Sequence, residues 1–311
     1  MEGTEAMKPI RLQPVNVKAL WAGNRLSKLR NMEEGTGIIR EVCAYRKSEN
    51  SILNDEYRGM NLHDLINLHY KDLMGNDNSD QMIRAAYIDA RDDLSIQVHP
   101  GEEYAKKVEN DFGKSESWYV LECDENSSVI AGCSINDREL LQQAAINGRI
   151  KEYLIHIPVK QGDFVYIPAG LIHACGKGTL VMEIGSFGGV TYRMYDYGRG
   201  RELHLDKGFQ VLDTSLRASK KEFPLDSRNK NRIENGVVSK EFKVDVIDTI
   251  GTQRITKEKK YHILTCVLNE CNIIIDEEKY SLHYTETLVI PASINEYEIQ
   301  GDCRVLCSYR P

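Results

Sequence analysis

The sequence predicts a mainly β protein built from two jelly-roll sandwiches or barrels, the first carrying a helical insertion. Three observations carry this reading. Short strands bounded by Gly, Pro or Asp recur from Leu94 onward, a charged stretch almost free of apolar periodicity interrupts them at 217–236, and a strand-turn pattern of the first run returns in the second. A chain of 311 residues is long enough for two cores.

Each element follows from its local pattern. From Met60 to Met74, Leu62, Leu65, Ile66, Leu68, His69 and Leu73 recur at helical spacing, which predicts an amphipathic helix packed on a sheet. LSIQVHP, SWYVLE, DFVYIPAG, TLVMEIG and TYRMYDY then read as strands, alternating or β-branched. Between them, 136–154 carries Leu140, Leu141, Ala144, Ala145 and Ile150 behind Asn136 and Asp137, which predicts a capped helix inserted between strands. The composition of 217–236 is that of a connecting segment, so the chain divides into 8–216, a linker, and 237–311. GDFVYIPA at 162–169 is echoed by TETLVIPA at 285–292. Without gaps, His173 falls opposite Glu296. A looser match of YVLEC to CVLNEC sets Glu116 opposite Ile263, so the second copy keeps the scaffold and loses the site.

Composition narrows the function classes. No stretch approaches the ~18 apolar residues of a membrane span, and the start carries no secretory apolar core, so the expectation is a cytoplasmic protein. A net charge of −7 and no long Lys/Arg run disfavour nucleic acid. The eight cysteines lack a CxxC pair and read as buried small apolar residues, without disulfides or cysteine-bound metal. Oligomeric state is not legible.

The chemistry concentrates in one place. Gly162, Pro168, Gly170 and His173 follow the spacing G-x5-P-x-G-x2-H, which resembles the second signature of the cupin superfamily and leaves an imidazole at the mouth of the fold. Upstream, Ser95, Gln97 and His99 alternate along LSIQVHP and share one strand face. Glu116 in GKSESWYV adds a carboxylate. Gln97, His99, Glu116 and His173 therefore offer nitrogen and oxygen donors that suit one zinc ion, with Mn, Fe, Co or Ni as other occupants. His63, His69, His156, His204, His262 and His283 lie in no such motif and read as hydrogen-bonded structural residues, as does Cys175.

The string LSIQVHP, GKSESWYVLE, GDFVYIPAGLIHACGKGTLVMEIG and TYRMYDYGR, in this order and with a helical insertion, resembles the class I mannose-6-phosphate isomerases, and the likeness is densest from Asp89 to Lys207. The resemblance implies two cupin units, a metal-dependent aldose-ketose isomerase acting through an enediol, and mannose 6-phosphate and fructose 6-phosphate as its sugars. It implies that Gln97, His99, Glu116 and His173 hold zinc and that Arg193 is catalytic, with Glu183 and Lys114 at active-site positions. Glu183 is the candidate general base, Arg193 the donor to the enediolate oxygen, and Lys114 an aid to proton transfer or ring opening. Read as structure alone, Glu183 pairs with a neighbouring base and Arg193 bridges to Asp196 or Glu183.

Two departures stand out. Where the family carries a phosphate-binding lysine, nine residues before the strand serine, this chain has Ala86, within MIRAAYIDA. Arg84, Ser95 and Arg199 are the remaining candidates for binding phosphate. GIIREVCAY at 37–45 replaces a family segment like GESWEVSAH. These leave open an isomerase of a different or unphosphorylated sugar, and a non-catalytic sugar-binding cupin.

Overall fold

A computed structural model describes residues 7–45 and 48–311. It is mainly β, and the packing divides the described residues into two units, one of 16–39 and 86–224, the other of 7–15, 40–45, 48–85 and 225–311. The division expected from chain order, 8–216 and 237–311 about a linker, assigns 40–85 differently. Those residues carry the Leu62–Leu68 and Tyr70–Met74 helices, where one helix over 60–74 was expected. The stretch 217–236 is not featureless, since the Ser219–Glu222 strand and the start of the Arg232–Val238 strand lie in it.

The unit of 16–39 and 86–224 is a sandwich of two open sheets. One, of seven strands, runs in the order Ser219–Glu222, Asp163–Ile167, Glu116–Cys123, Thr179–Gly185, Arg84–Ala90, Thr36–Val42, Val15–Lys18. The other, of five, runs Tyr192–Tyr195, Ile96–Val98, His173–Ala174, Ser128–Cys133, Leu154–Pro158. Alternation drives the layering, because successive side chains leave a strand on opposite faces. Trp118, Val120, Val165, Ile167 and Val181 of the first sheet meet Val129, Ala131, Leu171 and Cys175 in one buried core. The outer face of the five-stranded sheet is covered by the inserted Arg138–Ile146 helix, whose Leu141 and Ala145 pack with Ile130, Cys133, Leu154 and Ile172. Asp137 caps that helix, its carboxylate accepting from the Leu140 N–H.

The other unit is organised by two 14-residue strands, Lys243–Thr256 and Glu296–Tyr309, paired along their whole length. Gly251 and Gly301 face each other halfway along, with φ of 82° and 146°, conformations that side chains resist. Past this crease Glu296–Tyr309 pairs with Cys271–Ile275 on one arm and with His262–Leu268 on the other, and Leu264, Cys266, Ile273, Ile299 and Val305 fill the core. Arg304, fully buried, donates to both oxygens of Asp248, which Arg228 and Arg232 also reach. Seven of the eight cysteines are buried and Cys123 is partly so. No helix among the described residues is long and apolar enough to cross a membrane.

Strand register refines the internal echo. Ile167 faces Glu116 across the strands, and its match 123 residues on, Ile290, faces His262. The counterpart of Glu116 is thus His262, one residue from Ile263. Glu296, expected opposite His173, is exposed, and its buried neighbour Tyr297 turns inward to place its hydroxyl 3.0 Å from His262 Nδ1. By the same registers Gln97, which faces His173, matches Ile255, which faces Tyr297; two residues on, His99 matches Lys257. Lys257 Nζ donates to the carbonyls of Lys260 at 2.7 Å and Pro291 at 2.9 Å.

Candidate metal centre

The site forms where the two sheets of the sandwich face each other. On the five-stranded sheet Gln97 lies between His173 on one neighbouring strand and Arg193 on the other, so the three side chains stand in a row on one face. His99 follows Gln97 by two residues and shares that face. Glu116 begins its strand in the opposing sheet, between Ile167 and Gly185. Inside the sandwich, His99 Nε2 lies 3.4 Å from Glu116 Oε2, and His173 Nε2 lies 3.3 Å from Glu116 Oε1. The Gln97 amide reaches within 3.3 Å of His173 Nε2. Trp118 sets its ring edge against His173, centroids 5.7 Å apart, and closes the apolar side.

Protonation states follow from the partners. His99 Nδ1 donates to the Val190 carbonyl and His173 Nδ1 to that of Leu171, both at 2.8 Å. Each ring is thereby fixed as the tautomer whose Nε2 carries a lone pair, and both lone pairs point at one carboxylate. Burial pushes His99 down to about 4 and lowers His173 as well, with Lys114 adding to both, so the rings are neutral near pH 7. For Glu116 burial, the largest single effect, works the other way, but the Lys114 ammonium at 2.5 Å together with His99 and His173 outweighs it and holds the carboxyl well below its ordinary range. By hydrogen-bond alignment, His99 Nε2 and both Glu116 oxygens are buried without a partner. Two imidazole lone pairs and a carboxylate that converge in a dry place fit a divalent cation even with the Lys114 ammonium beside them, and the donor atoms of His99, Glu116 and His173 lie within 4.8 Å of one another.

A second layer of charge adjoins this centre. Lys114, buried, reaches Glu183 Oε1 at 3.1 Å as well as Glu116, so the three form a carboxylate-ammonium-carboxylate row. Glu183 faces Trp118 across the strands. The reading of Glu183 as paired with a neighbouring base is therefore satisfied by Lys114, and Arg193 bridges to neither Asp196 nor Glu183 in the bonds it makes. Its Nη1 donates to the Glu202 carbonyl at 2.8 Å while its Nε is buried without a hydrogen bond. Burial, then Arg201, lowers its pKa from a very high ordinary value, which leaves it charged.

The candidates for phosphate binding are scattered among other contacts. Ser95 is buried just before the Ile96–Val98 strand. Arg199 lies over the Tyr197 ring at 5.2 Å and 3.7 Å from Asp196. Arg84 lies 5.8 Å from the centroid of the Tyr45 ring. The sequence reading did not reveal the carbonyls of Val190 and Leu171, because any residue supplies a carbonyl.

Comparisons with known proteins point to one family. The family model described as the cupin domain of mannose-6-phosphate isomerase matches residues 232–310. A mannose-6-phosphate isomerase of Streptococcus mutans is 31% identical over 97% of this chain and 98% of its own length. The mannose-6-phosphate isomerase ManA of Bacillus subtilis is 28% identical over 97% of this chain and 99% of its own. The crystal structure of a mannose 6-phosphate isomerase from Bacillus subtilis superposes with a TM-score of 0.88 at 28% identity, covering 97% of this chain and 99% of that one.

Proposed function

The chain belongs to the mannose-6-phosphate isomerase family, and on that premise we propose that it is a metal-dependent aldose-ketose isomerase interconverting mannose 6-phosphate and fructose 6-phosphate. The observation that carries this reading is the convergence of two backbone-locked imidazoles on the buried carboxylate of Glu116. We assign the ion to zinc, held by Gln97, His99, Glu116 and His173, on the strength of a neutral nitrogen and single carboxylate donor set. When bound, such an ion polarises the sugar carbonyl and eases loss of the neighbouring carbon-bound proton.

The remaining work falls to the protein. Moving a proton between carbon 1 and carbon 2 through an enediol needs a base, and Glu183 is the carboxylate placed for it, steadied by Lys114 at 3.1 Å. Lys114 faces Glu116 and Glu183 together, so it can pass a proton to a sugar oxygen during ring opening while it neutralises both carboxylates. Arg193, always charged and with a buried Nε awaiting an acceptor, supplies a fixed donor to the enediolate oxygen. Trp118 and the core beneath it exclude water from this side.

A second reading, an isomerase of an unphosphorylated sugar, is favoured by Ala86, which is buried where the family lysine would stand. The test is isomerase activity of zinc-loaded protein on mannose 6-phosphate and on free mannose, with His99→Ala as control. Zinc-dependent turnover of the phosphosugar is expected. Turnover of mannose alone transfers the assignment to the second reading, and zinc binding without turnover of either sinks both.

A further inference from the structure

Tyr192–Tyr195 is an edge strand of four residues, paired on one side only, with Ile96–Val98. Its register breaks between Arg193 and Tyr195, a bulge of the kind that re-aims a side chain. An edge this short and irregular does not hold a side chain in place by ladder bonds alone. On its open side, residue 204 supplies what a neighbouring strand would. The Arg193 N–H donates to His204 Nδ1 at 3.1 Å, and the His204 N–H donates back to the Arg193 carbonyl at 2.8 Å. Two residues earlier, the Glu202 carbonyl accepts from Arg193 Nη1. The helix that starts after His204, Leu205–Val211, presses on the same strand, for a Cβ added to Gly208 would lie 2.1 Å from Met194 Sδ.

We infer that His204 is a positioning residue: its Nδ1 and its backbone N–H clamp both main-chain polar groups of Arg193 and so aim the guanidinium beside Gln97. The inference rests on the role proposed for Arg193. It assigns His204, a residue without contact to the metal-binding set in these bonds, to the reaction through Arg193. Nδ1 acts as an acceptor, so the ring carries its proton on Nε2, on the side of Glu202. The requirement is therefore for an acceptor at the Nδ1 position, not for an imidazole as such.

That requirement gives a discriminating test. Asn places its side-chain oxygen close to the Nδ1 position, Leu has the same shape without an acceptor, and Gln carries its oxygen one carbon farther out. Wild type, His204→Asn, His204→Leu and His204→Gln are compared on mannose 6-phosphate, with zinc content and unfolding temperature measured on each. His204→Asn is expected to keep kcat within a few-fold. His204→Leu, or His204→Gln should the Leu variant not fold, is expected to lose up to about 100-fold in kcat with one zinc per chain retained, the scale for a misplaced catalytic group. Combined with Arg193→Lys, the loss should fall short of the sum, because both changes act on one guanidinium. Equal losses in the Asn and Gln variants, or strictly additive losses with Arg193→Lys, would overturn the inference. A wild type that binds zinc and turns over no phosphosugar would instead sink the functional reading on which it depends.

Discussion

Glu116 and His262 occupy matching places in two strand-turn-strand frameworks, yet their surroundings differ in charge and in completeness. Glu116 is ionised, paired with the Lys114 ammonium on one side and faced by two imidazole lone pairs on the other. His262 is neutral, pushed by burial to about 3, and bonded through Nδ1 to Tyr297 while its ring stacks on Tyr309 at 4.9 Å. Where the first unit has His99, the second has Lys257, its ammonium resting on carbonyls. One framework turns its donor atoms toward a single point; the other is closed by its own side chains. The lesson is that a framework without a metal site is not merely short of ligands, since His262 and Lys257 at the matching positions each have a partner.

The comparison can be broken most sharply at the ligands. Chelation, or His99→Ala, should lower isomerase turnover by at least ~10³-fold, the scale of several kcal/mol of charge stabilisation. His262→Ala and Lys257→Met should leave kcat within about twofold in protein that remains folded, because neither belongs to the open site. Metal analysis should find one ion per chain in both of these variants, and a lower content in either would mean that the two frameworks are not independent.

Stability separates the units next. Asp248→Asn leaves Arg304, buried to 0% exposure, without its carboxylate, so a loss of ~3–5 kcal/mol is expected by denaturant unfolding. Tyr297→Phe removes the hydroxyl that pairs with His262 Nδ1 and strands a buried polar atom, an expected cost of ~1–3 kcal/mol. A neutral effect of Tyr297→Phe would mean that the second framework is not closed in the sense argued.

The smallest effect is a slope. His262 is lowered in the folded state, so below its unfolded value of 6.5 the unfolded chain takes up the proton first. Its contribution is therefore present above that value and is lost as pH falls toward about 3, by up to ~1.4 kcal/mol per pH unit. His99, lowered to about 4, adds a similar slope in metal-free protein. Unfolding of the chelated protein between pH 4 and 6.5 should show both contributions, and His262→Gln should remove one of them.

Much of the open site was legible because a period of two and a fixed turn spacing are both local. Gln97 and His99 share a face by alternation, His173 follows its glycines and proline, and Glu116 came with its motif. The closed counterpart was misread by one residue for the same reason. The turn from Pro291 to Tyr297 is one residue longer than that from Pro168 to His173, and an ungapped comparison cannot see it. Register breaks at Leu180/Val181 and at Cys266/Leu268 compound the slip. The grouping of 40–85 with 225–311 escaped the reading because it depends on partners some two hundred residues away, such as Ile83 bonding to the Tyr261 hydroxyl. Arg84 was expected near phosphate by strand alternation, which says which face a side chain leaves but not which ring it settles on.

The carbonyls of Val190 and Leu171 fix both imidazoles, and a carbonyl belongs to every amino acid alike. No single substitution can delete either one. A lineage can therefore exchange the residues that surround the sugar, as at Ala86 and along 37–45, while inheriting an ion-binding core that mutation reaches only through its ligands.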